Sequence, residues 1–148
     1  MKDKKIKIKS IILASDHAGY KLKNDIKNFL VKRGEKVLDL GTNNTISVDY
    51  PDYAHLLSKK IKKEKKNVGI LVCGSGTGMA MTANKHKNVR AALCYNVKST
   101  KLSRKHNNAN VMTLGARLIK KKDALMCVKA FLRTEFESGR HTKRINKI

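Results

Sequence analysis

Short apolar runs alternate along the chain with longer stretches whose apolar residues recur at helical spacing. "SIILAS" (Ser10–Ser15) is continuous and β-branched, the pattern of a strand buried on both faces. In "GYKLKNDIKNFLVKRG", Leu22, Ile26, Phe29 and Leu30 share one helical face, and Gly34 stops the helix. "KVLDLG" (Lys36–Gly41) reads as a second strand and "TNNTISVDYP" as a loop. "PDYAHLLSKKIKKEKK" reads as a helix opened by Pro51, with Ala54, Leu57 and Ile61 on one side. "NVGILVC" (Asn67–Cys73) is a third strand, and "TGMAMTANKH" a helix that starts inside the glycine loop after it. "RAALCY", "VKSTKLSRKHN" and "NVMTLG" give strand, helix and strand. "KKDALMCVKAFLRTEF" is a last long helix before the basic tail "ESGRHTKRINKI".

This alternation predicts a three-layer αβα, doubly wound, Rossmann-like fold with a mainly parallel five-stranded sheet. A single Pro and the lack of any Ser/Gly linker give no internal boundary, so 1–148 is expected to be one domain with a basic carboxyl-terminal tail from about 137. Ligands of such sheets bind beyond the carboxyl ends of the strands. That rule selects "SDHAG" after strand one, "DYPD" after strand two, "CGSGTG" after strand three and "LGAR" after strand five.

Composition narrows the reading. With 148 residues, 41% of them hydrophobic and 30% charged, the chain fits one soluble globular domain. No apolar run approaches the roughly 20 residues of a membrane span. Ile11–Ala14, after the basic start, is far too short for a signal segment, so a cytoplasmic protein without a membrane partner is expected. Cys73, Cys94 and Cys127 are odd in number and lack zinc-site spacing, which points to free thiols in a reducing compartment. The net charge of +23 raises the question of nucleic acid. The excess is mostly lysine (27 Lys against seven Arg) on expected outer helix faces, "SKKIKKEKK" and "IKKKDAL", with four Tyr, three Phe and no Trp to stack bases. It reads as a solvated surface whose field draws in an anionic substrate.

Several residue groups carry candidate chemistry, each beside a plainer alternative. "GSGTG" between strand and helix can aim backbone N–H groups at an anion, or it is a tight turn. It is no Walker A loop, and no Asp or Glu between Glu64 and Asp123 holds a ribose in the dinucleotide manner. The same gap in carboxylates bears on Cys73. A thiol against backbone amides and a helix N-terminus can ionise and take a proton; a strand-end cysteine can equally be buried and inert. Asp16 could orient a hydroxyl or cap a helix, and His17 could meet an anion or be a surface imidazole. His106 and Asn107 could reach the same crevice or end a solvated helix. Arg117, with Arg140 and Arg144 at helical spacing, suits bidentate phosphate binding, or the three are ordinary surface cations.

Taken together, "IILASDHAGYKLK", "DLGT", "VDYPDYA", "GILVCGSGTGMAMTANK", "VRAALC", "LSRKHNNANVMTLGAR" and "GRHTKRI" closely resemble the type B ribose-5-phosphate isomerases and their galactose-6-phosphate and allose-6-phosphate relatives. The resemblance implies an aldose–ketose isomerase of a small-molecule sugar phosphate, working without metal or cofactor. It implies that Cys73 is the thiol base, and that Ser75 with the backbone of Gly74, Gly76 and Gly78 forms the anion hole. Asp16 and His106 match groups that handle ring opening and hydroxyls. His17, Arg117, Arg140 and Arg144 match a phosphate clamp, and Tyr50 and Asn107 match sugar-lining positions. It further implies a homodimer or homotetramer with pockets shared between subunits. The alternatives are a six-carbon sugar phosphate as substrate, or a non-catalytic phosphosugar-binding protein.

Overall fold

The computed structural model describes residues 8–63 and 66–148; the basic start, 1–7, and residues 64–65 of the lysine run lie outside the described residues. The elements run β1 (Ser10–Ser15), α1 (Tyr20–Lys32), β2 (Val37–Asp39), α2 (Tyr50–Lys63), β3 (Asn67–Cys73), α3 (Thr77–Ala83), β4 (Ala91–Leu93), α4 (Val97–Asn107), β5 (Val111–Gly115), α5 (Lys121–Arg133) and α6 (Arg140–Ile145). The five strands form one sheet in the order β2-β1-β3-β5-β4, every pair parallel.

Alternation along the central strands divides the core. Ile11 and Leu13 of β1, with Val68, Ile70 and Val72 of β3, face Leu22, Ile26 and Leu30 of α1 and Ala124, Val128 and Phe131 of α5. Ile12 and Ala14, with Leu71 and Cys73, face Ala54, Leu57 and Ile61 of α2 and Met79 and Ala83 of α3. Both faces of the central strands are therefore covered, as their unbroken apolar runs require. Each large side chain so buried contributes roughly 1.5–3 kcal/mol relative to exposure. Among the described residues no helix is long and apolar enough to cross a membrane.

β1, β3 and α4 match their expected limits. β2 and β4 are shorter than expected, three residues each. Both are edge strands with a partner on one side only, so less of the ladder holds their ends. α5 stops at Arg133 because Thr134 is extended, and Arg104 Nε donates to its carbonyl at 3.0 Å. The segment from 137 onward is not simply a tail: it carries α6, which packs on α4.

Candidate active site

The order of the strands reverses between β1 and β3, and a crevice opens beyond their carboxyl ends. A cavity of about 360 Å³ lies there, lined by Asp16, Tyr50, Cys73, Gly74, Ser75, Gly78, Arg117 and Leu118. Register explains the grouping. Ser15 pairs with Val72, and Cys73 with Gly115, so the residues just past β1, β3 and β5 emerge side by side.

Cys73 points to the α2–α3 side of the sheet and is 4% exposed, yet it forms part of the cavity wall. Its Sγ accepts the Gly76 N–H at 3.1 Å. Gly76 has a φ of 77°, and turns the loop so that this amide points back at the sulfur. Ser75 Oγ accepts the Thr77 N–H at 3.3 Å. Two glycines leave room for neighbours that a side chain would displace. A Cβ at Gly74 would lie 2.9 Å from Arg117 Nη1, and one at Gly78 would lie 2.5 Å from Tyr50 Cζ. The Arg117 guanidinium thus rests directly on the loop backbone at Gly74, and the Tyr50 ring at Gly78.

Asp16 is 6% exposed, and its Oδ1 accepts the Gly19 N–H at 3.0 Å. That bond ties the turn ahead of α1 and leaves the second carboxylate oxygen for the cavity. His17 is not among the lining residues. Its Nδ1 accepts the Val48 N–H at 3.2 Å, which places the hydrogen of the neutral ring on Nε2.

The lip is braced from behind. Asp39 Oδ1 accepts the Gly41 N–H at 2.9 Å, and Lys23 Nζ, 1% exposed, donates to both Asp39 oxygens at 2.7 and 2.9 Å. Gly41 and Thr42 in turn exchange hydrogen bonds with Ser15, next to Asp16. Burial pushes the Asp39 carboxyl up, but Lys23, the Gly41 amide and Lys27 together outweigh it and hold the group below its ordinary value.

Within one chain, His106, Asn107, Arg140 and Arg144 do not reach this cavity. Of the two readings left open for His106 and Asn107, a single chain shows the helix end: both stand in the last turn of α4. α4 leaves the carboxyl end of β4 and returns to the start of β5, so its last turn lies toward the amino ends of the strands, whereas Cys73 ends β3 at the carboxyl side. There His106 stacks on His141 of α6, centroids 4.3 Å apart and planes 14° apart. Arg140 and Arg144 flank His141 on the same helix. Burial, then His106, Arg140 and Arg144, push the His141 imidazole below its usual value, against a smaller upward pull from Glu137. A capping box of Asn96 and Ser99 fixes the start of α4, and left-handed Asn108 ends it just past Asn107.

Cys94 and Cys127 are buried in the core, and burial pushes both thiols up. Cys73 is thus the only one of the three cysteines that lines the cavity. Sequence reasoning passed over Leu118, His141 and Gly115, where a Cβ would meet the Ser75 backbone at 2.6 Å. The position of His141 between two selected arginines was the one available signal.

The family model described as Ribose/Galactose Isomerase matches residues 11–148. The chain belongs to that family. The ribose-5-phosphate isomerase B of Escherichia coli is 39% identical over 141 residues, covering 95% of this chain and 95% of that protein. The crystal structure of a ribose 5-phosphate isomerase from Thermotoga maritima superposes with a TM-score of 0.91 at 46% identity, covering 93% of this chain and 95% of that one. A ribose-5-phosphate isomerase B from Mycoplasma genitalium, solved with ribulose 5-phosphate bound, gives 0.91 at 44% identity, covering 93% and 92%. At that level the protein is a sugar-phosphate isomerase with the Rossmann-like fold of these relatives.

Proposed function

We propose that this isomerase interconverts ribose 5-phosphate and ribulose 5-phosphate through a cis-enediolate, with Cys73 as the base. One observation carries the reading: Cys73 lines the cavity together with Asp16, Ser75 and Arg117, and its Sγ accepts a loop amide, that of Gly76. The ribulose 5-phosphate held by the Mycoplasma genitalium relative supports the five-carbon substrate.

In this mechanism His106, with Asp16, moves a proton to open the furanose ring. The Cys73 thiolate then takes the proton from C2 of the open aldose. Negative charge builds on the carbonyl oxygen at C1, where loop amides and the Ser75 hydroxyl donate to it; one such donor is worth roughly 3–4 kcal/mol in the transition state. The C2 hydroxyl proton passes to that oxygen by way of Asp16, and the thiol returns its proton to C1, giving the ketose. Both carbons lie on one face of the cis-enediolate, so one base serves both. Tyr50 and Asn107 line the sugar, and His17, Arg117, Arg140 and Arg144 hold the phosphate.

This assignment requires two copies of the chain, because Cys73 lies at the carboxyl ends of the strands and the cluster of His106, Arg140 and Arg144, on α4 and α6, does not reach its cavity within one chain. A partner subunit placing its α4 and α6 over the Cys73 cavity joins the halves. Leu118, which lines the cavity, stands 76% exposed, the kind of apolar side chain a partner covers.

The direct test is conversion of ribose 5-phosphate to ribulose 5-phosphate by the pure protein with chelator present, beside allose and galactose 6-phosphates. Turnover of the pentose phosphate well above both hexose phosphates is expected. No turnover of any of the three would refute catalysis and leave a binding protein.

A further inference from the structure

Within one chain a second cluster of ligating groups lies away from the Cys73 cavity, where α4 meets α6. Donor atoms of His106, Glu137 and His141 all lie within 4.8 Å of one another. Glu137 is held from two directions. Its N–H donates to the Lys105 carbonyl at 3.1 Å, and Lys105 Nζ lies 3.3 Å from its Oε1. Oε2 is then left 3.8 Å from His141 Nε2. His141 is 6% exposed, and that Nε2 has no hydrogen-bond partner. A polar atom shut away from water without a partner is costly to keep, and this one stands beside a carboxylate and a second imidazole.

We propose that His106, Glu137 and His141 form a site for a divalent transition metal, best suited to Zn²⁺, and that filling it switches isomerisation off. Two imidazoles and one carboxylate are a ligand set that Zn²⁺ accepts with a further position open to water. Mg²⁺ and Ca²⁺ prefer oxygen alone. Arg140 and Arg144 oppose any cation here. They oppose most strongly an ion held by charge alone, which further favours a metal bonded through imidazole nitrogen.

The stacked rings explain why binding inhibits. An imidazole nitrogen donates in the plane of its ring, so two rings 14° from parallel cannot aim at one ion. His106 is only partly buried in the last turn of α4, and its ring must leave the stack to meet Oε2 and His141. The stacked and metal-bound positions exclude each other, and the second withdraws His106 from the sugar. The inhibition rests on the role proposed above for His106; the metal binding does not.

The full chain, stripped with chelator, is titrated with Zn²⁺ against a chromophoric competitor. One Zn²⁺ per chain is expected, weakened more than about tenfold in Glu137→Gln and in His141→Gln. Affinity is expected to be unchanged in Cys73→Ser and in His55→Gln, which alters a separate imidazole pair. Equal affinity in wild type and Glu137→Gln, or loss in Cys73→Ser, overturns the site. Turnover is then read with and without Zn²⁺: wild type is inhibited where the site fills, and Glu137→Gln is not. Filling with full turnover overturns the inhibition and the ring-opening role of His106 while the metal site stands. A protein inactive under every condition fails the isomerase reading instead, and the titration still decides binding.

Discussion

Cys73 Sγ accepts the N–H of Gly76, three residues further along the same loop, at 3.1 Å. The bond pins the sulfur at the cavity wall, where β3 ends. A thiol fixed in this way is placed to meet a carbon acid, and the amide costs nothing to align during the reaction. Replacing it by Ala or Ser is expected to lower kcat by roughly a hundred- to ten-thousand-fold, with substrate affinity retained. Steady-state rates together with equilibrium binding check this. Near wild-type turnover in Cys73→Ala removes the base assignment.

Gly78 and Tyr50 test the packing of the loop. An added methyl at Gly78 falls 2.5 Å from Tyr50 Cζ and 2.6 Å from Cε2, so the ring must move. Gly78→Ala is expected to reduce kcat/KM by about tenfold or more, in keeping with the sensitivity of positioned groups to small displacements. In a Tyr50→Leu background the same change should do much less, since the obstacle is gone. A double-mutant cycle on kcat/KM measures the coupling. Strictly additive losses would mean that Tyr50 does not act through this contact.

The Lys23–Asp39 pair makes a prediction about pH. The folded-state value of Asp39 lies below its unfolded value, which is near 3.9. A carboxyl of that kind stabilises the fold above about pH 4, and the contribution is lost as pH falls through the folded value. Wild type should therefore lose stability on the acid side more steeply than Asp39→Asn, and the two urea midpoints should converge below about pH 4. Lys23→Met, which leaves a half-buried carboxylate with Lys27 and Gly41 only, should cost toward the lower end of roughly 3–5 kcal/mol. Parallel pH profiles for wild type and Asp39→Asn would show that acid sensitivity arises elsewhere.

Much of this was legible in the chain because the central strands are buried on both faces. That burial wrote unbroken apolar runs at Ser10–Ser15 and Asn67–Cys73, whose limits the structure reproduces. The cavity residues Asp16, Cys73 and Arg117 follow from the rule that ligands bind where parallel strands end. The edge strands were less legible, since half-exposed residues carry a weaker pattern. The separation of His106 from Cys73 follows from the direction in which α4 runs, which local periodicity does not encode. The stacking of His106 on His141 needs α6 folded back on α4, a contact between segments 35 residues apart that no local spacing announces.

That separation yields the most decisive prediction. If each active site takes Cys73 from one subunit and His106 or Arg140 from its partner, then Cys73→Ala and Arg140→Ala homodimers are each impaired. Arg140→Ala alone should chiefly raise KM, because the phosphate is held in ground and transition states alike. Mixing the two variants with subunit exchange then produces heterodimers in which one site carries both defects and the other carries none. At equal amounts half the dimers are mixed, so activity at low substrate should return to about a quarter of wild type, as two-fold symmetry requires. Recovery should track the heterodimer fraction seen by native mass spectrometry. Mixed dimers that form without any recovery would place all catalytic groups in one chain, against the geometry of α4.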